Sequence, residues 1–424
     1  MSKTNLRCVI ADAGLGLHNS GRCYLCCHSR TYLKDDNGQE IYLDSSTLQD
    51  AWNSPTRVEI QHALNNNIEH PNCTACWEDE HAGKQSRRLL FNESWGHLTA
   101  CADQPQLLDL KMGNTCNMKC RTCNPEVSSQ WYREDWELNA GPAENISYPD
   151  YLKRWRRITA SYSDDNQGVW ETLKSWLPNT QYIDFYGAEP MLIKKNFEVL
   201  QAAVDQGTSP DITLHINTNG TIWNPEHEKL LSNFKTVFFD LSIDDIKDRC
   251  GYIRNASTWD LVGDNLQQFL LARQRNKNFW FCICITINCL NVYYLDEIFD
   301  YIAKQDLHTN FNMLHLPWQL NLKVLPDSVK QAITAKLRAY VPDVSIRPVH
   351  QEYWQVQSEA VLNFMNTPVP NAESHFREFH YYTRGLDRTR GQSFEQQLPE
   401  FAQLVKPWFE PFDRLTRVDS QVLT

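Results

Sequence analysis

At 424 residues, with 42% apolar and 12% aromatic side chains, the chain can bury a large core and is too long for one small domain, which excludes a disordered or disulfide-stapled miniature protein. A formal net charge of -11 argues against holding bulk nucleic acid by counterion release. The sequence opens with no charged-then-apolar leader and contains no run of ~18 apolar residues, so a cytoplasmic protein is expected, whose 14 cysteines serve as metal ligands, redox groups or small core residues rather than disulfides.

Residues 1–104 read as loops, glycines and cysteines, with one helical piece from about Ser46 to Asn66. Cys23/Cys26 and Cys73/Cys76 are two C-x2-C pairs, which alone suggest zinc. Cys8 and Cys27 raise the set to six thiols, too many for one tetrahedral site.

From about residue 105 apolar runs alternate with helical patterns. The runs are Leu107 to Gly113, Tyr182 to Gly187, Ile212 to Asn217, Val237 to Ile243, Phe279 to Ile287 and Asn310 to Leu314. A Trp-rich, mostly helical insertion (about Ser128 to Trp176) follows the first of them, and its basic stretch Lys153 to Arg157 reads as a solvated helix face. Lys194 to Val204, Trp259 to Arg273 and Val292 to Lys304 carry helical patterns between later runs. Six β-then-α units predict a parallel sheet, an α/β partial (β/α)6 TIM-like barrel, with chemistry at the C-terminal strand ends. Those ends carry Cys116, Gly187 to Pro190, Asn217 to Gly220, Ser242 to Asp245 and Thr286 to Asn288. After Pro326 the chain turns helical and aromatic, giving expected units of 1–104, 105–325 and 326–424.

Cys116, Cys120 and Cys123 put three thiols within eight residues, with no histidine in the fifteen residues on either side. A structural zinc site wants four ligands. Three thiolates on a four-iron cluster would leave one iron free for another ligand.

C-x3-C-x2-C after the first strand of a β/α barrel resembles the radical S-adenosylmethionine superfamily. Gly187, Ala188, Glu189 and Pro190 resemble its GGEP motif, Asn217 and Asn219 sit in a segment similar to its third-strand motif, and Ser242 to Asp244 resembles its fourth-strand segment. The resemblance implies that Cys116, Cys120 and Cys123 hold a [4Fe-4S] cluster that chelates S-adenosylmethionine. Glu189 would contact its amino group, Ser242 and Asp244 would lie near the ribose, and Arg254 would pair with the carboxylate. Ala188 departs from the second glycine of that motif. Thr122 stands where many members carry an aromatic residue against the adenine.

The N-terminal cysteines, with the W-N-S helix and the stretch Cys73 to Arg88, resemble the twitch/SPASM auxiliary-cluster module, here placed before the barrel rather than after it. That resemblance implies a second [4Fe-4S] cluster held by Cys8, Cys27, Cys73 and Cys76, with Cys23 or Cys26 competing for the second place and zinc as the alternative metal. It also implies a peptide or peptide-like substrate, with epimerisation, crosslinking or oxidation as outcomes, and an electron donor such as flavodoxin or ferredoxin. A small metabolite or nucleoside is the alternative substrate, and a non-catalytic zinc protein the alternative of another class.

Cys282 and Cys284 alternate on an apolar strand and share a face; they read as core packing, as do Cys101, Cys250 and Cys289. His215 reads as a satisfied core or rim histidine. His315 is expected to face the site, and Trp318 to pack beside it.

Overall fold

The computed structural model describes residues 5–81, 85–99, 101 and 103–422, with side chains in the last helix described as far as Asp413. Eight strands form one sheet: β1 (Gly14–Leu17), β2 (Cys23–Tyr24), β3 (Leu107–Leu110), β4 (Tyr182–Phe185), β5 (Thr213–Thr218), β6 (Thr236–Ser242), β7 (Phe279–Ile287) and β8 (His308–Met313). Their spatial order is β2-β1-β3-β4-β5-β6-β7-β8. All neighbours from β1 to β8 pair in parallel, and only β2 runs antiparallel.

The six runs predicted from sequence are β3 to β8, in chain order and joined by crossover segments. Helices Lys194–Asp205, Pro225–Leu231, Trp259–Arg275 and Leu295–Ala303 supply the last four connections. The sheet is open at β2 and β8, as a partial (β/α)6 arrangement requires.

The N-terminal segment adds something the apolar pattern did not suggest: β1 extends the parallel sheet beside β3, in register Gly14 with Leu107 and Leu17 with Leu110. Glycine is a poor strand former, so "GLGL" gives no strand signal. Its reason is packing. A Cβ on Gly16 would lie 2.0 Å from the Tyr24 ring, and that ring delivers its O–H to Asp109 on β3 at 2.8 Å.

The two faces of the sheet differ. Val237, Phe239, Leu241, Phe281, Ile283 and Ile285 point into the main apolar core under the helices, each contributing about 1.5–3 kcal/mol through burial. The alternate residues face outward, and there Phe238 and Trp280 are 42% and 53% exposed. Parallel strands usually have both faces covered. Here the second face is a concave, accessible surface lined by polar and aromatic side chains.

C-terminal helices Pro348–Met365, Ala372–Arg390 and Pro399–Val422 complete the molecule. Ala372–Arg390 packs against the 310 turns at Trp318–Leu320 and Leu322–Val324, just beyond the end of β8. Among the described residues no helix is long and apolar enough to cross a membrane.

Candidate active site

After β3 the chain leaves regular structure and carries Cys116, Cys120 and Cys123 across the C-terminal ends of the strands. Backbone bonds from elsewhere fix this loop. Lys119 and Arg121 donate their N–H groups to the carbonyls of Asn255 and Ile253, at 3.1 and 2.8 Å. The Trp131 indole donates to the Cys120 carbonyl at 3.1 Å, and Ser128 Oγ to the Met118 carbonyl at 2.6 Å.

The thiols sit in a polar, positively biased setting. Burial pushes Cys116 up to about 11, although the Met118 N–H, 3.4 Å from its sulfur, opposes that. Cys120 moves the other way, to about 7, because it shares a hydrogen bond with Cys123 and faces the Arg254 guanidinium. The same hydrogen bond and burial push Cys123 up.

Glu189 is fully buried beside this loop. It accepts from the Asn219 N–H at 2.7 Å, Thr218 Oγ1 at 2.7 Å and the Met191 N–H at 3.0 Å. Burial nonetheless raises its pKa. Asn219 continues the chain of contacts, donating to Asn117 Oδ1 at 2.9 Å, with Cys116 Sγ 4.0 Å from its Nδ2. The ends of β4 and β5 are thus joined to the cysteine loop through Glu189 and Asn219. Asn217, by contrast, points down the sheet toward Asp184, at 3.5 Å.

Gly187 and Ala188 both have positive φ, +72° and +53°. A Cβ on Gly187 would come within 3.0 to 3.2 Å of Asn19 and Lys111. Ala188 is therefore an L-residue held in the left-handed region, a cost of roughly 1–2 kcal/mol. Ala188→Gly is expected to stabilise the folded chain by up to about 1 kcal/mol, the gain being reduced by the freer unfolded glycine; a denaturant midpoint that falls would contradict it.

Asp244 is fully buried and takes the Arg254 guanidinium at 2.6 Å and the Thr286 N–H at 2.8 Å. Arg254 Nε is buried with no partner. The guanidinium thus has one nitrogen committed to Asp244 and another unsatisfied beside the thiols. Ser242 ends β6 half-buried, in register with Cys284.

A cleft of about 500 Å³ opens beside Thr122 and Cys123. Trp131, Tyr382, Asp135, Glu378, Trp318 and His375 line it, and Trp318 stacks on His375 with centroids 5.6 Å apart. Trp318 therefore borders open space. His315 is exposed but lies outside this cleft: its ring meets Phe364 edge-on at 5.2 Å, and it is absent from the cleft's lining.

The N-terminal thiols form a second group. Cys8, Cys26, Cys73 and Cys76 line one small cavity with Ile10, Leu64 and the arginines Arg87 and Arg88. Burial raises all four, Cys8 to about 11 and Cys26 to about 12, so a metal bound there would displace protons. Of the three thiols competing for the second place, Cys26 is the one that lines this cavity. Cys27, its neighbour in the chain, does not, although Asp109 and the cavity's own Arg87 both act on it electrostatically, and Cys23 belongs to the main core. Gly83, part of the sequence resemblance here, lies outside the described residues. Cys26→Ser is expected to lose about as much bound iron as Cys73→Ser, while Cys27→Ser keeps it; equal losses from Cys26→Ser and Cys27→Ser in anaerobic iron assays would undo the assignment.

Among the described residues, neither thiol set brings three donor atoms within 4.8 Å of one another. A tetrahedral zinc with Zn–S near 2.3 Å brings sulfurs to about 3.8 Å from one another. Among the described residues, the set of three metal-ligating side chains with all donor atoms within 4.8 Å of one another is Asp240, Cys282 and Cys284.

Sequence reading missed three contributors. Asn19 donates to the Gly113 carbonyl and covers Gly187. Arg121, between two of the cysteines, is fully buried and donates to Asp387 Oδ1 at 2.5 Å and Gln392 Oε1 at 3.0 Å. Tyr382 donates to the Arg121 carbonyl at 2.6 Å. Only Arg121 left a signal, a charge inside a tight cysteine loop.

No family model matches the chain, and no curated protein matches it. Among solved structures, native anSMEcpe with bound AdoMet is similar at 16% identity, with a TM-score of 0.34, covering 54% of this chain and 58% of that one. The same protein with AdoMet and the Cp18Cys peptide gives a TM-score of 0.33 at 16% identity, covering 54% and 58%. Streptococcus suis SuiB bound to S-adenosylmethionine gives 0.22 at 15% identity, covering 47% of this chain and 45% of that one. The chain thus spans less than two thirds of the length of each.

Proposed function

We propose that the chain is a radical S-adenosylmethionine enzyme. The observation that carries the reading is the meeting of Cys116, Cys120 and Cys123 with buried Glu189 and Arg254 at the C-terminal rim of a parallel sheet. Bound at those three thiols, a [4Fe-4S] cluster would supply an electron to the sulfonium of S-adenosylmethionine, breaking a carbon–sulfur bond to give a 5′-deoxyadenosyl radical that abstracts hydrogen from substrate.

The chain's own residues do the positioning. Arg254 sets positive charge against the thiolates, and its unpartnered Nε is suited to the cofactor's carboxylate. Glu189, held rigid by three donors, offers its carboxylate to the amino group. The carboxylate of Asp244 holds Arg254 and the Thr286 N–H and so orients Arg254, and Ser242 and Asp244 would lie near the ribose. Tyr382 and the exposed Trp318 line the cleft beside Cys123 and offer aromatic surface where Thr122 offers none.

Cys8, Cys26, Cys73 and Cys76 would hold an auxiliary iron–sulfur cluster. The concave face, with Phe238 and Trp280 exposed beside polar strand residues, suits an extended substrate, in keeping with the peptide or peptide-like substrate that the sequence resemblance implies. A flavodoxin or ferredoxin would supply the electron.

Anaerobic reconstitution tests this. The chain should turn brown with iron for two clusters, and with dithionite and S-adenosylmethionine it should release 5′-deoxyadenosine. A colourless zinc protein that leaves the cofactor intact would overturn the reading in favour of a non-catalytic metal protein.

A further inference from the structure

The concave face carries a third group of metal-ligating side chains, separate from both cysteine sets above. Asp240 on β6 and Cys282 on β7 are opposite each other in register, and Cys284 follows two residues on, on the same face. One donor atom from each lies within 4.8 Å of the others. The sequence reading had placed the two cysteines in the core. Their strand neighbours Phe281, Ile283 and Ile285 do belong to the main apolar cluster, but Cys282 and Cys284 do not, because alternate residues on a strand face opposite sides.

The surroundings are built for a ligating carboxylate. His215 Nε2 lies 3.0 Å from Asp240 Oδ2, and its Nδ1 lies 3.0 Å from Asp184 Oδ1. Asp184 in turn lies 3.6 Å from the Arg87 guanidinium. A carboxylate oriented by an imidazole, which a second carboxylate orients in turn, is the outer-shell arrangement that fixes first ligands at metal sites.

We propose that Asp240, Cys282 and Cys284 bind a divalent ion of the zinc class, with His215 as the residue that positions Asp240. Two thiolates and one carboxylate suit zinc or cobalt and not calcium or magnesium. Three protein ligands leave the fourth tetrahedral position open. Asp240 and Cys282 are half-buried while Cys284 is buried, so the open position faces the concave surface, where water or a donor atom of a substrate can take it. Binding releases the thiol protons to solvent and involves no change in oxidation state. The site is independent of the S-adenosylmethionine reading.

The test uses the full chain, metal-free and reduced, titrated anaerobically with zinc alone. Zinc should slow alkylation of Cys282 in the wild-type chain, read by peptide mapping, which requires no variant to fold. Cys282→Ser/Cys284→Ser should lose one zinc equivalent per chain relative to wild type. His215→Ala should keep that equivalent but bind it about 10–100-fold more weakly. The same zinc count in wild type and the double variant, or alkylation of Cys282 that zinc leaves unchanged, would overturn the proposal.

Discussion

Replacing Cys116, Cys120 and Cys123 together by alanine is expected to abolish formation of 5′-deoxyadenosine and to remove about half of the reconstituted iron. Cys250, a further thiol within electrostatic reach of Cys120, is packed in the apolar core, and Asn219 offers only a weak amide contact at 4.0 Å. The N-terminal cavity, lined by β1-side residues and helices rather than by this loop, should keep its share of iron. Cofactor cleavage that persists in the triple variant would overturn the assignment of these cysteines. Loss of all iron together with the circular dichroism of the fold would show instead that the loop is needed for folding, and Cys123→Ala alone would then be the variant to assay.

Asp387→Ala is expected to be the most destabilising single substitution away from the thiols, costing about 3–5 kcal/mol. Asp387 accepts from Arg121 at 2.5 Å, Tyr252 Oη at 2.9 Å and the Phe394 N–H at 2.7 Å. Removing it leaves a fully buried guanidinium, whose Nη1 already has no partner, facing the Gln392 amide and the Tyr252 carbonyl, with no anion among these partners. Arg121 lies between Cys120 and Cys123, so the strain reaches the cluster loop as well as the C-terminal helix. A chelator challenge should strip iron from this variant faster than from wild type, and its melting temperature should fall. A variant that melts with wild type would show that the pair contributes little to holding helix Ala372–Arg390 on the loop.

The order of these two effects follows from what each residue touches. Under the proposed function the cysteines would bear chiefly on the chemistry, whereas Asp387 would bear on the fold and on the chemistry only through Arg121. Measuring iron content and melting temperature side by side separates the two roles.

Much of the architecture was legible in the chain alone. Strand β7 was read to the residue, and β3 to β8 came in the right order, because each is an apolar run bounded by turn residues and followed by a helical period. The motif loops are equally local: a cysteine triplet after β3 and G-A-E-P after β4 carry their meaning within a few residues.

What escaped sequence reading was contact across distance. Strand β1 consists of two glycines and two leucines, and its place is set by the Tyr24 ring and by pairing with a strand some ninety residues away. Asp387 and Arg121 are separated by 266 residues, so no spacing rule links them. That Cys26 and not Cys27 lines the N-terminal cavity depends on how one turn folds, which spacing does not record.

The amino-acid sequence by itself determined the parallel α/β sheet, the three-thiol loop at its rim and the existence of a second cysteine-rich region, since periodicity and short spacing are properties of local chain. Only the tertiary structure decided which four N-terminal thiols share a cavity, that Arg254 is tied to Asp244 beside the three-thiol loop, and that half-buried Cys282 and buried Cys284 share a face with Asp240. Those outcomes depend on which residues packing brings together and which face of a strand it covers, and local periodicity records neither.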